Sequence, residues 1–242
     1  VKLCAAQSSA DTGNLERNVR KHEVLIDVAV SRQANLIFFP ELSLTGYEPR
    51  LARTLATAAD DVRLDVFQQF ADTRDTIIGV GLPTRSVGGV LITMVLFRPR
   101  AERLSYSKQQ LHADEATFFV QGDVQLIFSA GGHTFAPAIC YESLQPNHAA
   151  GAARAGAEVY LASVAKPQRT VAKAYDHYAR MAKRHSMAVL MANSVGPCDD
   201  FVSAGQSAAW DRSGELVASM NTESEGLVLF DTTTQQGSVV VV

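Results

Sequence analysis

Three residues of reactive type stand where apolar runs end. Cys140 closes Thr134-Phe135-Ala136-Pro137-Ala138-Ile139 and is followed at once by Tyr141-Glu142-Ser143 and a stretch of helical character. Glu41 follows Phe38-Phe39-Pro40, and Lys108 follows Leu104-Ser105-Tyr106-Ser107. A thiol, a carboxylate and an ammonium group presented at strand exits are the parts needed to attack a carbonyl-type carbon bonded to nitrogen. A free thiol titrates near about 8.5, and a helix N-terminus or a nearby cation lowers that value. The helix after Cys140 supplies the first influence, with Ser143 as a cap and Pro146 in its first turn. A carboxylate at the mouth of a buried strand is partly desolvated, which raises its pKa toward the range useful to a general base. Each residue also has a plainer reading: an apolar core cysteine, a loop glutamate, a surface lysine.

The elements that must position them alternate between strand and helix. Strands are expected at 2–7, 35–39, 76–82, 90–97, 103–107, 124–129, 132–139, 158–162, 188–193, 206–210, 215–219 and 226–231. Helices are expected at 15–32 with Asn14 as N-cap, 51–72, 143–155 and 170–186. Ser86-Val87-Gly88-Gly89 signals a hairpin. Residues 108–123 read as irregular with one short helical turn, and Gly196-Pro197 as a loop. The apolar end of the tail, Gln235 to Val242, suits pairing with a sheet edge or a partner subunit. So many strands exceed one sheet. The expectation is therefore an α/β fold with two packed sheets between helical layers.

Composition narrows the function classes. The chain has 242 residues, 47% hydrophobic and 19% charged, with a formal net charge of −3. That size suits one large α/β domain, 1–242, and the charge gives no reason to expect nucleic acid. No apolar run reaches the roughly 18 residues of a membrane span. The opening Val1-Lys2-Leu3-Cys4-Ala5 reads as a strand and lacks the layout of a signal peptide. Three cysteines argue against a disulfide framework and fit a reducing, cytoplasmic setting. Metal binding by Cys4, Cys140 and Cys198 lacks any Cys-x-x-Cys or helical His pair, so no metal and no cofactor is expected. Cys4 is expected in the core and Cys198 in a loop, where exposure is open to it. A Cys–His arrangement would need His133 or His148 beside Cys140.

Taken together, the motifs resemble the nitrilase superfamily of carbon–nitrogen hydrolases nearly end to end. Phe38-Phe39-Pro40-Glu41 with Gly46-Tyr47 is similar to the family's glutamate motif. Lys108, Leu111, Glu115 and Gly122 are similar to its lysine motif. Ala138-Ile139-Cys140-Tyr141-Glu142 with Gly156-Ala157-Glu158-Val159 is similar to its nucleophile motif. Gly205-Gln206-Ser207-Ala208-Ala209-Trp210-Asp211 and Glu225-Gly226-Leu227-Val228 match its usual ending. The resemblance implies a four-layer α-β-β-α sandwich and a Glu41-Lys108-Cys140 triad, with Glu115 supporting Lys108. It also implies an oxyanion site made by Lys108 and the backbone N–H of Tyr141, and a homodimer or higher homo-oligomer. The substrate expected is a small non-peptide amide hydrolysed through a thioester on Cys140. Nitrile hydrolysis and soluble acyl transfer by the same triad are the alternatives. Tyr47, Glu142 and Ser163, just beyond strand ends, are candidate substrate contacts. If Glu142 points inward, it would favour a polar or cationic substrate.

Overall fold

The computed structural model describes residues 1–242. Its first half runs β1 (Lys2–Gln7), α1 (Leu15–Ser31), β2 (Leu36–Phe38), α2 (Ala52–Leu55), α3 (Asp65–Arg74), β3 (Ile77–Ser86), β4 (Gly89–Arg98) and β5 (Ala101–Ser107). Its second half runs β6 (Phe128–Ala130), β7 (His133–Ile139), α4 (Pro146–Arg154), β8 (Val159–Val164), α5 (Gln168–His185) and β9 (Ala188–Asn193). It closes with β10 (Val195–Cys198), β11 (Phe201–Ala204), β12 (Ala208–Trp210), β13 (Leu216–Ser219), β14 (Gly226–Asp231) and β15 (Gln236–Val241).

Two sheets form the centre. One has the order β15-β14-β1-β2-β3-β4-β5 and the other β13-β12-β9-β8-β7-β6. In each, three strands run parallel, β1-β2-β3 in the first and β7-β8-β9 in the second. Parallel strands feed their carboxyl ends toward the same edge of a sheet, which is where ligands are met in open α/β sheets. The alternation of side chains builds the layers. Leu36 and Phe38 of β2 join the core between the sheets, with Phe135, Ile139, Val159 and Leu161 facing them. Ile37 and the following Phe39 turn the other way, into a core shared with Leu25 and Ile26 of α1 and Phe67 and Phe70 of α3. On the far side Ala136, Ala138, Tyr160 and Ala162 pack with Ala149 and Ala152 of α4 and Tyr178 and Met181 of α5. Strands buried on both faces read as continuous apolar runs for this reason. The result is the four-layer α-β-β-α sandwich.

Four segments depart from expectation. Of the strand expected at 124–129 only Phe128 and Ser129 are extended, in β6 (Phe128–Ala130). The helix expected at 51–72 is broken between α2 and a 3-10 turn at Val62–Leu64. There Thr57 donates its N–H to the Pro83 carbonyl and accepts from Arg85 N–H, bridging to the edge of β3. That tertiary pairing takes the backbone groups a helix would have used. Gly196-Pro197, expected as loop, lies in β10, which pairs with β11 as a separate antiparallel hairpin. Cys198 is buried there rather than exposed, with Ser194 Oγ 3.6 Å from its sulfur. The helix expected at 143–155 starts with a 3-10 segment, Cys140–Leu144, and α4 begins only at Pro146. The tail pairs with β14 as the sheet-edge strand β15.

Candidate active site

The structure brings Glu41, Lys108 and Cys140 to the carboxyl ends of strands from both sheets. Glu41 lies three residues past β2, Lys108 directly past β5, and Cys140 directly past β7. The turn holding Glu41 is pressed against β3. A Cβ at Gly81 would meet Leu42 N at 2.6 Å and the Pro40 carbonyl at 2.8 Å, so only glycine allows that approach. Gly122 has the same role under the lysine turn: it donates its N–H to the Lys108 carbonyl (2.8 Å), and an added Cβ would strike the Ser107 carbonyl.

Lys108 is fully buried, and its Nζ donates to Glu41 Oε1 at 2.8 Å and to Glu115 Oε1 at 2.6 Å. Tyr47 Oη donates to the same Glu115 oxygen at 3.0 Å, and His112 N–H donates to its Oε2 at 2.7 Å. Glu41 Oε2, in contrast, is buried with no hydrogen-bond partner. Desolvation pushes the Glu41 carboxyl up to about 7, against the opposing pull of the Lys108 ammonium. Desolvation would lower the Lys108 ammonium, but the two carboxylates outweigh it and hold the group well above its ordinary value. An ammonium flanked by two buried carboxylates therefore keeps its charge.

Cys140 sits in the left-handed region, at φ +45°. Such a conformation costs a non-glycine residue on the order of 1–3 kcal/mol and is retained only where its surroundings impose it. Ser143 helps impose it: its Oγ donates to the Cys140 carbonyl at 2.6 Å and lies 2.6 Å from Tyr178 Oη. Ser143 therefore closes the 3-10 turn and does not cap α4, which has Gln145 at that position. The thiol is raised rather than lowered: burial pushes it up to about 11, with Glu41 adding to the rise and Lys166 and Lys108 opposing it. A helix beginning six residues on does not offset desolvation of the sulfur.

Two of the three candidate substrate contacts face elsewhere. Glu142 is wholly buried and accepts from Ile139 N–H (2.7 Å), Gln109 N–H (2.6 Å), Gln110 N–H (3.2 Å) and Tyr106 Oη (2.6 Å). It clamps the cysteine turn to the lysine turn, so the preference for a cationic substrate drawn from it falls away. Ser163 is buried, and its Oγ donates to the Phe39 carbonyl at 2.8 Å, tying β8 to the exit of β2 across the sandwich. Tyr47 does border the cluster, through Glu115 and through a ring contact with Phe201. Tyr141 is half-buried with its ring edge-on to His112. Neither histidine considered beside Cys140 contacts it. His148 lies between Tyr106 Oη and Tyr160 Oη, and His133 Nε2 is 3.0 Å from Thr232 Oγ1.

One residue of the site escaped the sequence reading. Lys166 lies two residues past β8, is buried at 4% exposure, and places Nζ 3.8 Å from Cys140 Sγ. The available signal was its position: like Glu41, it is a charged residue at the exit of an apolar strand, beside a proline.

Comparison with known proteins agrees with this architecture. The amidase of Nesterenkonia sp. AN1 superposes with a TM-score of 0.88 at 24% identity, covering 96% of this chain and 92% of that one. The glutamine-dependent NAD(+) synthetase of Acinetobacter baylyi is 26% identical over 226 residues, 89% of this chain. That of Aquifex aeolicus is 26% identical over 238 residues, 94% of this chain. In both cases the chain spans 41% of the relative's length. The profile of the family described as carbon-nitrogen hydrolase matches residues 2–237. With that match over nearly its whole length, the chain belongs to the carbon–nitrogen hydrolase family.

Proposed function

We propose that this carbon–nitrogen hydrolase cleaves a small non-peptide amide through a thioester on Cys140, with Glu41 as general base and Lys108 as oxyanion donor. The observation that carries the reading is the meeting of three side chains distant in sequence: a buried ammonium bound to two buried carboxylates, beside a half-buried sulfur. Glu41 has one oxygen committed to Lys108 and the other unpartnered, a free acceptor for the thiol proton. As the proton passes to Glu41, Sγ bonds to the amide carbon and the C–O π pair moves onto oxygen. Lys108 and the Tyr141 N–H stabilise that oxyanion, each such donor being worth about 3–4 kcal/mol in a water-poor site. Glu41 returns the proton to the departing amine as the C–N bond breaks. It then takes a proton from water as water attacks the thioester, and returns that proton to Sγ as the C–S bond breaks and the carboxylic acid leaves. Glu115 holds Lys108 in place, helped by Tyr47.

This scheme does not need a thiolate in the resting enzyme. A thiol near 11 beside a carboxylate near 7 is deprotonated in step with attack rather than beforehand. A mutant of the amidase from Nesterenkonia sp. AN1 has been captured with the acetamide moiety of fluoroacetamide added at its active-site cysteine. The same reagent is a suitable probe here. Intact-mass spectrometry after incubation with fluoroacetamide and a panel of small amides and nitriles should show one adduct, mapped to Cys140 and absent from Cys140→Ala. Turnover retained in Cys140→Ala would refute the assignment. Hydroxylamine added during turnover should divert the thioester to hydroxamate.

A further inference from the structure

Lys166 is the one cation of the site without an anion. Lys108 is matched by Glu41 and Glu115. Lys166 takes part in none of the molecule's ion pairs, and the only polar contact of its side chain is the Cys140 sulfur at 3.8 Å. A buried lysine that lacks a partner is costly, and chains retain one where something else compensates it. The placement is built rather than incidental. Asn193 Oδ1 accepts from Lys166 N–H at 2.8 Å, Asn193 Nδ2 donates to the Lys166 carbonyl at 3.2 Å, and Ala204 N–H donates to that carbonyl at 2.8 Å. Asn193 is itself fully buried, at the end of β9, and Ser207 Oγ accepts its N–H. The side chain of Lys166 thus springs from a backbone fixed on two sides and ends over the sulfur.

Resting on the function proposed above, we infer that Lys166 is a substrate-specificity residue: it receives a carboxylate carried by the acyl part of the amide, close to the scissile carbon. The reach is set by distance. Nζ stands 3.8 Å from Sγ, and a charge-assisted N–H···O contact adds about 2.8 Å. An oxygen held by Lys166 then lies no more than about 6.6 Å from the sulfur that bonds the acyl carbon. Only a short acyl chain fits that limit. The alternative occupant is the sulfur itself as thiolate. Burial keeps that thiol protonated at neutral pH, so it does not neutralise Lys166 in the resting enzyme.

Two alkylating agents of nearly equal size separate these roles without turnover. Iodoacetate transfers a carboxymethyl group and iodoacetamide a carbamoylmethyl group to Cys140: the S–C bond forms, the C–I bond breaks, iodide leaves with the electron pair, and the thiol proton passes to Glu41 or solvent. Only iodoacetate carries a carboxylate within the reach of Lys166. Second-order rates at Cys140 are followed by peptide mass mapping, which keeps Cys4 and Cys198 apart. The ratio of the iodoacetate rate to the iodoacetamide rate should exceed that of free cysteine, measured in parallel, by about threefold or more. Lys166→Met should lower the protein's ratio by about threefold or more. A wild-type ratio no higher than that of free cysteine overturns the inference. So does a variant in which both rates fall by one common factor, since Lys166 would then act on the sulfur alone. If Lys166→Met does not fold by circular dichroism, the wild-type comparison decides. Failure of either reagent to label Cys140 would instead remove the nucleophile assignment beneath it.

Discussion

The two sheets contribute to the site in opposite styles. The first supplies Glu41 and Lys108, joined with Glu115 and Tyr47 in a network where every group but one carboxylate oxygen has a partner. The second supplies Cys140 and Lys166, whose one polar side-chain contact with each other is 3.8 Å long. One side is a closed set of charges that holds its own geometry before anything binds. The other is open, a sulfur and an ammonium with capacity to spare. Preorganised charge on one side and unfilled valence on the other is the division expected when one wall stabilises a transition state and the opposite wall receives the substrate.

The contrast between Glu41 and Glu142 sharpens this. Both are buried carboxylates just past apolar strands, and in the sequence both look available for chemistry. Glu142 is filled by four donors and links the two turns, whereas Glu41 keeps Oε2 free. Glu41→Gln should preserve the contact to Lys108 and remove the proton acceptor. The expected loss in kcat/KM is about 10²–10⁴-fold, the usual worth of a positioned general base, with little change in melting temperature. A second signature comes from pH. A base must be ionised to act, and Glu41 is raised to about 7. The wild-type kcat/KM should therefore climb about tenfold per pH unit below about 7 and level off above it. In Glu41→Gln this limb should vanish. A wild-type profile flat from pH 5 to 8 would assign the base elsewhere.

What the sequence disclosed and what it hid follow from the same physics. Strands buried on both faces produce long apolar runs, so β2, β7, β8 and β9 and the charged residues that end their neighbours were legible. Asn14 capped α1 as expected, accepting from Arg17 N–H. What remained hidden depended on partners far along the chain. The break between α2 and α3 is made by pairing with β3, and no local propensity in Ala56-Thr57-Ala58-Ala59 announces it. The direction of Glu142 depends on donors from residues 106–110, more than thirty positions away. Lys166 is one of six lysines with nothing to set it apart until the fold puts a sulfur next to it. The type and spacing of residues reveal where chemistry is presented; which way a side chain turns is decided by the layer packed against it.

Glu142→Ala is the converse test, of a carboxylate that holds rather than reacts. It would leave the N–H groups of Ile139, Gln109 and Gln110 without that acceptor, two of them on the lysine turn, while Tyr106 Oη keeps His148 Nε2 at 2.8 Å. An unsatisfied buried group costs about 1–3 kcal/mol, so the loss in unfolding free energy should be at least about 3 kcal/mol, read by denaturant titration. Because the clamp spans the turns carrying Lys108 and Cys140, kcat should fall with it. Neutral and positively charged substrates should suffer alike, since the carboxylate does not face them. A loss confined to cationic substrates would restore Glu142 as a substrate contact.

The smallest effect is expected at Ser163, where one hydrogen bond joins the sheets. Its Oγ reaches the Phe39 carbonyl, two residues before Glu41, and the side chain is 1% exposed. Ser163→Ala removes the donor to the buried Phe39 carbonyl, so the cost should be about 1 kcal/mol of stability. A hydroxyl that touched substrate would show itself differently, in KM with stability untouched. A hydroxyl that only ties β8 to the exit of β2 should leave KM where it was, and any fall in kcat should come from a slightly looser Glu41. Measuring KM and the unfolding midpoint on the same variant therefore tells whether the seam between the sheets is structural at this point or part of the binding surface.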